Sequence, residues 1–201
     1  MSRAWDVAGY TPVIVAMLVA VAAVLLVARI SAARGGARVA LKATMWAMLV
    51  ATTGVILVAT IGFSVGDSEP GSRVNLHPFV EIRRGLRSSS DAVMANLYGN
   101  IAMFVPIGLL LVWLWTSPLI ARIIMATIAG AGLSLIIELI QLTLRRVADI
   151  DDVILNGSGA LLGAVLAAAV VVLIRIVKWV RRKSRRTGGG VIDDAAHAPV
   201  A

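Results

Sequence analysis

Cysteine is absent from the 201 residues, which excludes a disulfide framework and any thiolate metal site. Charge is scarce too. Only 15% of the residues are charged while 59% are hydrophobic, more apolar surface than a soluble core of this size requires. No internal repeat is visible, and no Ser-His-Asp or metal-ligand spacing stands out. His77 reads as an interfacial hydrogen-bonding residue rather than a ligand or base.

What the chain does have is long uncharged stretches, running from Ala43 to Gly66, Ala92 to Ala121 and Val153 to Ile174. Each is long enough to cross roughly 30 Å of hydrocarbon as a helix. Ser117-Pro118 divides the second of them. The expected architecture is therefore an all-α, polytopic transmembrane bundle with spans near 10–30, 43–64, 92–115, 119–142 and 154–176. Thr11-Pro12 is placed to open the first span, and Ser88 with Asp91 to form a capping box before the third. Arg3 ahead of an apolar run resembles a signal peptide, but Arg29, Arg34, Arg38 and Lys42 follow it and mark a retained helix. Three regions are expected. Residues 1–69 form an N-terminal two-helix region, 70–178 a second domain of three helices with extracytoplasmic loops, and 179–201 a basic disordered tail.

The net charge of +8 sits beside hydrophobic spans, a pattern that fits membrane lipids as partners and not nucleic acid. Twelve of the Lys and Arg residues lie in the 29–42 loop, the 116–122 turn and the region from Arg175. Seven lie at the other ends of the spans. The bias predicts a multi-pass cell-membrane protein with its N-terminus outside and its C-terminus cytoplasmic. Trp46, Trp113, Trp115 and Trp179 would mark the inner interface and Trp5 the outer one.

On that topology Glu138 and Gln141 end the fourth span, while Asn96, Asn100 and Asn156 start the third and fifth at similar depth. A carboxylate inside a span is costly and marks a functional-site hypothesis. Glu138, Gln141 and Arg145 share a helix face that continues inward as Ser134, Gly130 and Ala126, a small-residue stripe. Gly159 and Gly163 form a GxxxG pair. The simplest geometry packs spans three to five around the polar residues, with Asp149, Asp151 and Asp152 as a lid and Pro106 kinking the third span. Plainer readings compete. Asn and Gln serve as interhelical glue, Glu138 pairs with Arg145 or Arg146, and the Asp residues cap the fifth helix. The oxygen-rich set would suit Mg²⁺ or Ca²⁺, yet the Asp spacing matches no standard loop, so neither metal nor cofactor is expected.

The same residues carry a resemblance to the VanZ-like family of bacterial membrane proteins. Asn75-Leu76-His77-Pro78-Phe79 looks like its N-L-x-P-F entry motif, and Asn100 through Phe104, Pro106 and Gly108 like its N-x-x-x-F-x-P-x-G helix. Glu138-x-x-Gln141, then Arg146, Asp149, Asp151-Asp152, then Asn156, Gly159 and Gly163 follow in the family's order. Arg145, where the family often has a small residue, and the basic tail depart from the pattern. The resemblance implies an association with teicoplanin resistance and no defined reaction. Together with the charge count, which independently puts the polar residues near the outer leaflet, it leads to the expectation of a site held together by Glu138, Arg146 and Asp152. That site would bind or reorganise an envelope component, an envelope lipid or lipoglycopeptide, and lower susceptibility to teicoplanin-type drugs. The alternative is an intramembrane enzyme on a lipid-linked substrate, with Glu138 as general acid or base and the Asp149/Asp151/Asp152 loop orienting it. A small transporter ranks third, because the polar residues gather at one end of the spans.

Overall fold

Gly36 sets the arrangement of the N-terminal third. In the computed structural model, which describes residues 3–62, 74–88, 90–144 and 147–195, helix α1 runs Arg3–Gly62 with one non-helical residue, Gly36, at φ 74° and ψ 176°. That backbone conformation is open to glycine and strained for residues with a Cβ. Around it the chain folds back. Met17 to Leu25 of the first half and Met48 to Ile56 of the second line the same apolar cavity, paired symmetrically about Gly36. The 29–42 segment is thus helical on both sides of one tight turn rather than a loop, and α1 begins well before Thr11.

Three more long helices follow: α3 (Asp91–Leu114), α4 (Leu119–Thr143) and α5 (Ile150–Ala195). Among the described residues four helices are long and apolar enough to cross a membrane, the first spanning Ile14–Thr60. The two halves of α1 occupy the places of the first two expected spans, so the all-α transmembrane bundle is as the composition requires. Outward-facing residues such as Ile120, Ile128, Leu135, Leu166 and Leu173 are exposed, the apolar exterior that a bilayer demands and water would not tolerate. At 46 residues α5 is about 70 Å long, more than twice the hydrocarbon thickness. Its basic second half is helical to Ala195, where composition argued for a disordered tail.

Helix α5 lies between α3 and α4, and small residues make this possible. A Cβ on Gly159 would overlap the Ile101 carbonyl, and one on Gly163 the Val105 carbonyl. The GxxxG pair is therefore the α3–α5 contact surface. Across α4 the stripe Ala126, Gly130 and Ser134 is buried, with Gly130 facing Ala160 of α5. Phe104, Ile107, Leu111, Val112 and Ile137 fill the space around these close contacts. Because lipid is as apolar as the side chains, such close approach, rather than water exclusion, holds the helices together.

At one end of the bundle lie three short elements that the periodicity did not reveal. Strand β1 (Val74–Asn75) pairs in parallel with β2 (Ala148–Asp149). Helix α2 (Val80–Arg87) then packs Gly85 against Val93 and Leu97 of α3. The N-cap of α3 is Ser90 without a side-chain cap, so the expected Ser88–Asp91 capping box is replaced. Ser88 ends α2 instead, and its Oγ accepts from the Ser90 N–H at 3.1 Å.

Candidate functional site

Helix α2 has an end problem that its own sequence does not solve. The first N–H groups of any helix lack intrahelical partners, and the N-cap here is Phe79, an apolar residue in the left-handed region at φ 68°. The missing acceptor comes from the start of α5. One Asp151 carboxylate oxygen accepts the Phe79 N–H at 2.5 Å, and the other accepts those of Glu81 and Ile82 at 2.7 and 3.1 Å. Asp151 is 1% exposed. A carboxylate at a helix N-terminus also meets the positive end of the helix dipole.

Asp149 and Asp152 hold other elements. Asp149 accepts from the Asn75 side-chain amide at 3.2 Å and from the Asp151 N–H at 2.9 Å. Asn75 in turn accepts the His77 N–H at 3.1 Å, forming the turn that leads into α2. The Asp149 N–H donates to Glu138 Oε2 at 2.9 Å, tying β2 back to α4. Asp152 accepts from Asn100 of α3 at 2.7 Å. The three acidic residues therefore point to three different elements, and Asp151 and Asp152 belong to the first turn of α5 rather than to a lid loop. Among the described residues no group of three or more His, Cys, Asp or Glu side chains is arranged to hold a metal.

Glu138 is 5% exposed at the bundle end of α4. Asn100 and Gln141 are buried with it, but Gln141 donates to the Thr60 carbonyl of α1 at 3.2 Å, anchoring the N-terminal hairpin. Asn156 sits one layer deeper and donates to Ser134 Oγ at 2.8 Å. Its Oδ1 is buried without a partner among the described residues. Asn96 is exposed and makes no side-chain hydrogen bond among the described residues. It lies one turn before Asn100, on the rim of α3 where the neighbouring helices no longer cover it. Arg145 and Arg146, and with them the expected pairing to Glu138, lie outside the described residues.

The profile of one protein family, VanZ/LLP1, matches residues 41–174, two thirds of the chain. The chain belongs to the VanZ/LLP1 family. No curated protein and no solved structure matches it. The matched stretch runs from the second half of α1 into α5 and contains Asn75, Asn100, Glu138, Gln141, Asp149, Asp151, Asp152 and Asn156. In this VanZ/LLP1 chain every one of these eight side chains makes a hydrogen bond that joins separate elements or turns of the fold.

Two features escaped sequence reasoning. The β1–β2 pair is only two residues per strand, too short for any periodicity. Helix α2 lies between the second and third expected spans, in a stretch assigned to an extracytoplasmic loop. The spacing of Arg83, Arg84 and Arg87 around Gly85 was the available signal, since it puts the three cations on one side and the glycine on the other.

Proposed function

We infer that this VanZ/LLP1 membrane protein works by holding α2 and the 74–79 segment rigidly at the outer leaflet, where they bind an amphiphilic component of the cell envelope. The observation that carries this reading is the capture of α2 by Asp151 from 69 to 72 residues away. Buried charge-assisted hydrogen bonds are each worth about 1.5–3 kcal/mol, so the acidic cluster is committed to presenting a surface element. The orientation rests on charge. The Gly36 turn, the α3–α4 turn with Arg122, and the basic part of α5 all carry cations, which belong on the cytoplasmic side. The opposite end, with α2, then faces outward, with the N-terminus outside and the C-terminus cytoplasmic. Occupying or reordering an envelope amphiphile there would lower the access of teicoplanin-type lipoglycopeptides.

The test is surface binding of labelled teicoplanin and vancomycin in a susceptible Gram-positive host. Wild type, Asp151→Asn and Glu138→Gln are expressed to equal membrane levels. Wild type is expected to lower teicoplanin binding and Asp151→Asn to abolish the effect. Glu138→Gln should retain it, because glutamine still accepts the Asp149 N–H. Equal binding in all strains overturns the reading. Loss of the effect in Glu138→Gln alone, with insertion intact, would instead favour the intramembrane enzyme.

A further inference from the structure

The outer face of α2 offers a specific ligand chemistry. At 100° per residue, Arg83, Arg84 and Arg87 fall within about a 100° arc opposite Gly85, the residue seated on α3. Arg84 is engaged by Glu81 at 2.7 Å. Arg83 and Arg87, one turn apart on the same face, are exposed and have no carboxylate partner among the described residues. Together with Val80, Arg84 and Ser88 they line an open concavity. The helix N-terminus is already closed by Asp151, so the attraction for an anion comes from the guanidinium pair and not from the helix dipole.

The flank of the same helix is apolar and uncovered. Phe79 and Leu86, seven residues apart, are 48% and 61% exposed, and Leu76 just before the turn is 70% exposed. A helix with cations on one side and uncovered apolar side chains beside them lies in the plane of the interface. Its Phe79 and Leu86 then reach the acyl region while the arginines stay level with the headgroups.

Resting on the reading above, we propose that Arg83 and Arg87 clamp the phosphate of an anionic lipid headgroup, its acyl chains lying along Phe79 and Leu86. Guanidinium groups bind phosphate oxygens through paired N–H donors, which an ammonium group cannot reproduce. Two such groups one helical turn apart match a single phosphodiester better than a diffuse charged surface would. The occupant is a lipid rather than free phosphate, because the clamp and the apolar flank act on the two halves of one amphiphile.

The experiment uses the full chain in nanodiscs of phosphatidylcholine, doped with phosphatidylglycerol, and counts retained lipids by native mass spectrometry. Wild type is expected to retain phosphatidylglycerol in preference to phosphatidylcholine. Arg83→Gln/Arg87→Gln should lower that preference on the order of tenfold, from the loss of the paired guanidinium–phosphate hydrogen bonds. Arg83→Lys/Arg87→Lys should fall between, which separates paired hydrogen bonding from charge alone. Arg175→Gln/Lys178→Gln, at the far end of the bundle, serves as the control for charge alone and should lower the preference less than the Arg83/Arg87 pair does. An undiminished preference in the Gln pair, or an equal fall in the control, overturns the clamp. So does displacement of the lipid by millimolar inorganic phosphate, which would make free phosphate the ligand. The Gln pair must melt with wild type, and the Lys pair carries the test if it does not. Should lipid retention be unaffected while Asp151→Asn still abolishes the teicoplanin effect, the clamp fails and the proposed function stands. Lipid preference lost in the Gln pair, with no glycopeptide effect in any strain, means the reverse: the clamp stands and the proposed function fails.

Discussion

Asp151 is the residue on which the α2 end of the bundle turns. It is buried, charged and surrounded by backbone donors, and the three N–H groups it accepts are those at the start of α2. Asp151→Asn keeps the shape but halves the acceptor capacity and removes the charge, so part of the cap is lost. The expected cost is about 1–3 kcal/mol, localised to α2. Hydrogen exchange should show faster exchange at Glu81 and Ile82, with amides of α3 and α5 near Phe104 and Ala160 unchanged. Uniform destabilisation of the bundle would mean that Asp151 supports the core rather than α2. The carboxylates and carboxamides of the long helices stood out in the sequence, because such a group amid apolar runs is costly, while Asn75 was marked only by its motif. The partners of these groups were not legible. Gln141 meets a carbonyl of α1 and Asn156 meets Ser134, whereas helix spacing grouped Gln141 with Glu138 and membrane depth grouped Asn156 with both. The plainer reading of Asn and Gln as interhelical glue describes their hydrogen bonds, and Asn96, equally conspicuous in the sequence, is exposed.

Helices α3 and α5 touch backbone to backbone, and the glycines that allow it are not equivalent to others in the chain. Gly163 has the Val105 carbonyl where its Cβ would be, while Gly132 on α4 has open space. Gly163→Leu should therefore prise α3 from α5 at a cost of about 3 kcal/mol or more. Gly132→Leu should be close to neutral. Thermal melting in detergent together with size-exclusion profiles distinguishes them, and similar behaviour of the two variants would refute the close-packed α3–α5 contact. The GxxxG spacing pointed to this surface, but a spacing does not name the helix that lies against it. The short elements β1, β2 and α2 went unread for another reason. Each is stabilised by atoms from the far end of the chain, so local propensity carries almost no information about them.

The molecule as a unit has two chemically distinct ends. One gathers α2, the acidic cluster and the closing turn of α1 near Thr60; the other carries the Gly36 turn, Arg122 and the basic part of α5. Because the chain has no cysteine, single cysteines report this arrangement without background. Leu76→Cys is expected to react with a membrane-impermeant thiol reagent on intact cells, and Ala37→Cys beside the Gly36 turn only after lysis. Reaction of both on intact cells would break the helical hairpin, and the opposite pattern would invert the orientation. Membrane class, helical character and the polar candidates followed from composition and run length alone. A segment in hydrocarbon must satisfy its own backbone hydrogen bonds, which makes spanning a local property that a local reading can recover. The β1–β2 pair and the capture of α2 by Asp151 required the assembled bundle. Each brings together atoms separated by tens of residues, and their meeting depends on how closely α3 and α5 approach, a distance set by glycines facing carbonyls across the interface.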